Sequence, residues 1–217
     1  MAHNNVIINT TFNIIGAAEA AANLLCEFKI AEKKDAKLIK SKNGKDGSYT
    51  IKGLRDSNYI RSMKILMVCL GNICRSPLAD GLLRHKVNRE GIRATVDSAG
   101  TANYHVGGPP DERMTETAMR NGIDISNLRA RQFKVRDYDE FDLIYVMDKS
   151  NYHNVTRLAR NEQDVQKVKL ILDELGHSNS IQEVPDPYYG GQAGFDHVFD
   201  LLNRATDVII ENLQHGQ

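Results

Sequence analysis

A cysteine and an arginine six residues apart, Cys69 and Arg75, enclose a short loop in "VCLGNICRSP", directly behind the apolar run Ile65-Leu66-Met67. A thiol is a nucleophile only as its thiolate, and backbone N–H groups gathered at a helix N-terminus favour both that anion and a bound phosphate dianion. Gly71 would free the backbone for inward-pointing amides, and Asn72 suits a left-handed turn. Arg75 offers a planar fork to two phosphate oxygens, and Ser76 a hydroxyl to the sulfur. The same spacing also fits a buried cysteine and a surface arginine at a plain strand-to-helix turn. Cleavage of a phosphate ester further needs an acid for the leaving oxygen, and "EVPDPYYGG" supplies Asp186 between Pro185 and Pro187, followed by Tyr188 and Tyr189. Alone, that stretch equally describes an Asp-Pro turn with two tyrosines.

Positioning such groups requires strands that end where helices begin, and the pattern from Met63 onward supplies them. Strands are predicted over Lys64 to Val68, Arg93 to Thr101, Phe141 to Asp148 and Lys167 to Leu172. Helices are predicted over Ser76 to Asn88, Pro110 to Asn121, from Ser150, and over Phe195 to Leu213, the last with Val198, Leu201, Leu202, Ala205, Val208, Ile209 and Leu213 on one side. Pro77 falls at a tolerated first-turn position. Strands alternating with helices imply an α/β fold with a parallel sheet covered on both faces and ligands at the carboxyl ends of its strands. The cysteine loop lies at such an end.

Residues 1–62 read differently. Ala17 to Ala22 favours a helix, "KLIKSKNGKDGSYTIKG" a hairpin around Asn-Gly and Asp-Gly, and "RDSNYIRS" a polar linker. Such a unit is too small for a strong core of its own. Over the whole chain 28 basic residues balance 28 acidic ones, which gives no general pull toward nucleic acid or an anionic membrane. Residues 1–62 carry ten basic and six acidic side chains, and residues 63–217 eighteen and twenty-two. Phe12 to Phe28 contains Glu19 and Asn23 and lacks a preceding basic stretch, so it makes a poor signal peptide or membrane span. The three cysteines, Cys26, Cys69 and Cys74, make neither a secreted disulfide framework nor a zinc pattern, and fit a reducing, cytoplasmic setting. The seven histidines show no metal-ligand spacing.

Taken together, "VCLGNICRSP", "VDSAGT" (Val96 to Thr101), "GGPPDERM" (Gly107 to Met114), "VMDKSN" (Val146 to Asn151) and "DPYYG" resemble the low-molecular-weight protein tyrosine phosphatases, in order and in spacing, across about residues 63–215. The resemblance implies a three-layer, phosphotyrosine phosphatase I-like fold with a four-stranded parallel sheet, and phosphotyrosine-containing proteins as substrates. It implies attack by Cys69 on phosphorus, phosphate binding by Arg75 and the loop Leu70, Gly71, Asn72, Ile73 and Cys74, and Asp186 as acid and then base, with no metal or other cofactor. It also implies that a Ser98–Asn72 hydrogen bond and Ser76 support the loop, and that Ile73, Tyr104 and Tyr188 wall the aryl pocket. Cys74 would be a redox partner able to form a reversible disulfide with Cys69. Asn121 departs from the family pattern, which often has histidine there.

Three other functions share parts of this pattern. An arsenate reductase needs further redox cysteines, and none follows Cys74. A protein-arginine phosphatase typically has threonine where Ile73 stands, and the bulk of Ile73 better suits an aryl ring. A non-catalytic phosphate-binding module has no use for an acid such as Asp186 opposite a nucleophile.

Overall fold

The computed structural model describes residues 37–40, 49–52, 62–176, 183–189 and 191–215. The expected helix over Ala17 to Ala22 and most of the expected linker lie outside these residues. The chain divides into two units, Met1–Ile60 and Arg61–Gln217. In the first, β1 (Lys37–Lys40) pairs antiparallel with β2 (Tyr49–Lys52), setting Lys37 opposite Lys52 and Lys40 opposite Tyr49.

The second unit is built on four parallel strands, β3 (Met63–Cys69), β4 (Ala94–Gly100), β5 (Leu143–Val146) and β6 (Val168–Leu170), in the order β4-β3-β5-β6. Strand β3 is therefore central. The chain leaves it to one side for β4 and returns past it to β5, so the sheet changes winding direction at the carboxyl end of β3. Such a reversal opens a crevice for ligands. Cys69 is the last residue of that strand.

Alternation along β3 separates two cores. Ile65, Met67 and Cys69 face one cluster with Leu78, Leu82 and Leu83 of α1 (Arg75–Glu90) and Phe195, Val198 and Leu202 of α6 (Gly191–His215). Leu66 and Val68 face the other with Phe133, Tyr138 and Val155. That side is covered by α3 (Asp137–Glu140) and α4 (Lys149–Thr156), with α5 (Glu162–Gln166) leading into β6. Burying each large apolar side chain stabilises by roughly 1.5–3 kcal/mol, which clamps the sheet from both sides. The helix α2 (Glu112–Arg120) completes the set.

The predicted boundaries shift by a few residues. The apolar run from Lys167 leaves the sheet after Leu170 and becomes a 3₁₀ helix, Ile171–Leu175. Helices α3 and α5 were not anticipated, because four or five residues are too few to show a helical period. On α6, Ile210 is buried while Val208, expected on the apolar side, is only half-buried.

Candidate active site

Between the end of β3 and the start of α1 the chain turns through Leu70 to Cys74 around the Cys69 sulfur. Asn72 carries the one positive φ among non-glycine described residues, 56°. Its side chain makes that conformation tenable: Nδ2 donates to Ser76 Oγ at 2.9 Å, and Oδ1 accepts from the Arg131 backbone N–H at 2.9 Å. The Asn72 amide donates to Cys69 Sγ at 3.2 Å. The backbone N–H groups of Gly71, Ile73, Cys74 and Arg75 bond to no acceptor among the described residues, and α1 begins without a side-chain cap. Donors of this kind at a helix start make an anion site.

The left-handed turn falls at Asn72, as its residue type suggests, and the missing side chain of Gly71 makes room for His105: a Cβ there would sit 3.1 Å from the imidazole Cδ2. One sequence expectation needs correcting here. The expected Ser98–Asn72 hydrogen bond is absent. Ser98 is buried on β4 level with Met67, below the loop, and the Asn72 amide is already engaged by Ser76 and Arg131. Gly100 does press on the loop, since a Cβ there would meet Leu70 O at 2.8 Å.

Cys69 is 3% exposed, with Sγ 3.0 Å from Ser76 Oγ. Ser76 Oγ also lies 3.3 Å from the Ala99 carbonyl oxygen, and a hydroxyl has only one proton to give. Because Asn72 Nδ2 occupies a lone pair of that oxygen, the proton is free to point at sulfur when the sulfur is anionic and at Ala99 O when it is not. Cys74 is a free, buried thiol. Burial, and then the nearby charges of Asp111, Cys69 and Asp186, push it well above the usual thiol range, so it is neutral beside Cys69.

The Arg75 guanidinium gathers the rest of the site. Nη1 donates to Asp148 Oδ2 at 2.7 Å and to Val184 O at 3.1 Å, while Nη2 donates to Asp186 Oδ2 at 3.0 Å. Burial opposes its charge, but Cys69, Asp186 and Asp148 more than offset that, and the group stays ionised. Asp186 is 45% exposed at the mouth, and its Oδ1 accepts from the Tyr188 amide at 3.1 Å. Asp148 lies in "VMDKSN", and its residue type and spacing alone assign it no role. It follows strand β5, at the sheet edge where ligands bind, and that position was the available signal.

Around the mouth, Ile73 is half-buried, Tyr104 is 76% exposed and Tyr188 is 42% exposed. Arg113 ties two of these together. It lies 5.1 Å over the Tyr188 ring and 4.7 Å over Phe195, donates to Tyr188 O at 3.1 Å, and pairs with Asp111 at 2.8 Å. The Asp111 amide in turn donates to Ile73 O at 2.8 Å. Asn121 ends α2 by donating to Thr117 O at 2.8 Å and makes no bond to the loop. Among the described residues no three His, Cys, Asp or Glu side chains gather to hold a metal, and no helix is long and apolar enough to cross a membrane.

Comparison with known proteins agrees with this geometry. The sequence profile described as "Low molecular weight phosphotyrosine protein phosphatase" matches residues 64–217. A Synechocystis protein whose name places it among low molecular weight protein-tyrosine-phosphatases is 48% identical over 70% of this chain and 96% of its own. The human low molecular weight phosphotyrosine protein phosphatase is 37% identical over 68% of this chain and 93% of its own. The crystal structure of a protein tyrosine phosphatase from Entamoeba histolytica superposes with a TM-score of 0.67 at 38% identity, covering 71% of this chain and 99% of that one. The family profile takes in all four parallel strands, β3 from Lys64 onward, and the segment that carries Asp186, and the chain belongs to the low molecular weight phosphotyrosine protein phosphatase family.

Proposed function

We propose that residues 63–217 hydrolyse phosphotyrosine in protein substrates, and small aryl phosphates, through a cysteinyl-phosphate. The observation that carries this reading is the convergence of a buried thiol, a buried ionised arginine and an exposed carboxyl on one loop, with Arg75 bonded to Asp186 at 3.0 Å. Cys69 as thiolate attacks phosphorus while the bond to the tyrosine oxygen breaks, and the Asp186 carboxyl gives its proton to the departing phenolate. A protonated Asp186 also releases Nη2 of Arg75, which turns to a phosphate oxygen. The loop amides and the guanidinium stabilise the phosphoryl group in transfer. Asp186, now carboxylate, takes a proton from the water that attacks the phosphocysteine. The S–P bond breaks, and Ser76 donates to the returning thiolate. No step of this chemistry draws on residues 1–62, and a reducing cytoplasmic compartment suits the free thiols Cys69 and Cys74.

The test is turnover of p-nitrophenyl phosphate in the presence of a chelator. Cys69→Ser should abolish turnover while retaining vanadate binding, and Asp186→Ala should slow poor leaving groups more than good ones. Metal-dependent turnover that survives Cys69→Ser would overturn the mechanism.

A further inference from the structure

Beside the mouth lies a cleft of about 420 Å³ lined by Asn103, Val106, Arg131, Gln132, Lys134 and Arg136. We propose that it is an accessory subsite for an acidic side chain flanking the phosphotyrosine of the substrate, an inference that rests on the phosphatase reading above.

Three of its six lining residues are cations and none is an acid. The surrounding segment, residues 63–217, has the opposite balance, with eighteen basic and twenty-two acidic side chains, so the cleft is not a sample of the general surface. The guanidinium of Arg131 is already held by Asp97 and Asp137 and serves as a fixed wall. Arg136 reaches Glu140 only at 3.7 Å with both groups exposed, and a contact of that kind holds little of its charge. The Lys134 side chain makes no ion pair among the described residues, because its backbone N–H, and not its ammonium, is what binds Asp137. Two exposed cations are thus available to an incoming carboxylate.

The position relative to the phosphate loop is fixed by backbone bonds. Thr101 N donates to Cys69 O and Ala102 N to Leu70 O, both at 2.9 Å, which lays the strap from 101 to 108 along the loop. The ring of His105 rests against Gly71, Tyr104 stands at the mouth, and Asn103 and Val106 on either side of that pair line the cleft. Gln132 Nε2 donates to Thr101 O at 3.3 Å and joins the cleft to the strap. A chain that places its phosphotyrosine in the loop crosses this strap, and its neighbouring residues then run over Lys134 and Arg136. Exposed charges act within about 8–10 Å at physiological salt, so the subsite affects capture of the substrate and leaves the bond-breaking step alone.

The experiment compares kcat/KM for p-nitrophenyl phosphate with a phosphotyrosine peptide series in which one glutamate, or glutamine as its neutral match, is moved along either side. The full-length protein, the K134E/R136E variant and the charge-conserving K134R/R136K variant are compared. The full-length protein should prefer glutamate at one or more positions. K134E/R136E should lower kcat/KM for that peptide about tenfold, through KM, while p-nitrophenyl phosphate is hydrolysed as before. K134R/R136K should keep the preference. Equal rates for glutamate and glutamine peptides, or a preference that survives charge reversal, overturns the subsite while leaving the phosphatase reading intact. Failure of the unmodified protein on p-nitrophenyl phosphate overturns both.

Discussion

Asp148 divides its two carboxylate oxygens between two tasks. Oδ1 accepts from the Asn151 amide at 2.6 Å and starts α4, while Oδ2 holds Arg75 Nη1 at 2.7 Å. The consequences of losing charge and losing the cap are therefore separable. Asp148→Asn keeps an oxygen for the cap but leaves Asp186 as the sole carboxylate on the buried guanidinium, so the acid is drawn toward Arg75 and away from the leaving group. Steady-state kinetics should show kcat falling about tenfold, near 1.4 kcal/mol, with poor leaving groups affected most. Asp148→Ala should add a loss of stability of about 1 kcal/mol from the missing cap, read by denaturant unfolding. A kcat unchanged in both variants would remove Asp148 from the site.

At the scale of elements, the N-terminus of α2 links the loop of residues 70–74 to the segment that carries Asp186 and Tyr188. Asp111 caps that helix by accepting from the Arg113 amide at 2.9 Å, binds the Arg113 side chain through Nε at 3.0 Å and Nη2 at 2.8 Å, and donates its own amide to Ile73 O. Hydrogen bonds from Arg113 hold its carboxyl below the ordinary value of 3.8, with burial opposing them. A carboxyl lowered in the folded state contributes stability that is present above its unfolded pKa and is lost as pH falls through the folded one. Asp111→Asn should therefore cost about 1 kcal/mol at neutral pH. The gap to the unmodified protein should close as pH drops below 3.8. A gap independent of pH would mean that the cap geometry alone, and not the ion pair, is what Asp111 supplies.

At the scale of the molecule, α1 and α6 cover the same face of the sheet, and a buried cation pins them together. Lys86 Nζ donates to Asn203 O at 2.6 Å and Thr206 Oγ1 at 2.9 Å and pairs with Asp207 at 2.6 Å. Burial pushes the ammonium below its ordinary value, and Asp207 partly restores it. Lys86→Ala should destabilise by about 2 kcal/mol, whereas Lys86→Met, which keeps the packed stem, should cost less. Neither should change p-nitrophenyl phosphate kinetics, because Lys86 touches nothing at the mouth. A loss of kcat in a folded Lys86→Met protein would show that the packing of α1 on α6 sets the loop.

The periods of the chain were enough to place four strands and the long helices, because burial on one face or two leaves its repeat in the local order of side chains. Cys69, Arg75 and Asp186 also stand out in the sequence as candidates: the first two belong to one turn between adjacent elements, and the third stands between prolines that confine it. What the sequence did not contain was the strand order β4-β3-β5-β6, which sets Asp148 and Val184 against Arg75 although they lie 73 and 109 residues away. Nor did it contain the partner of Asn72, since the Arg131 amide that replaces the expected Ser98 is a backbone group and carries no residue signature. Local chain geometry is written in nearest neighbours, while the match of donors to acceptors across a sheet edge is decided only when distant segments pack.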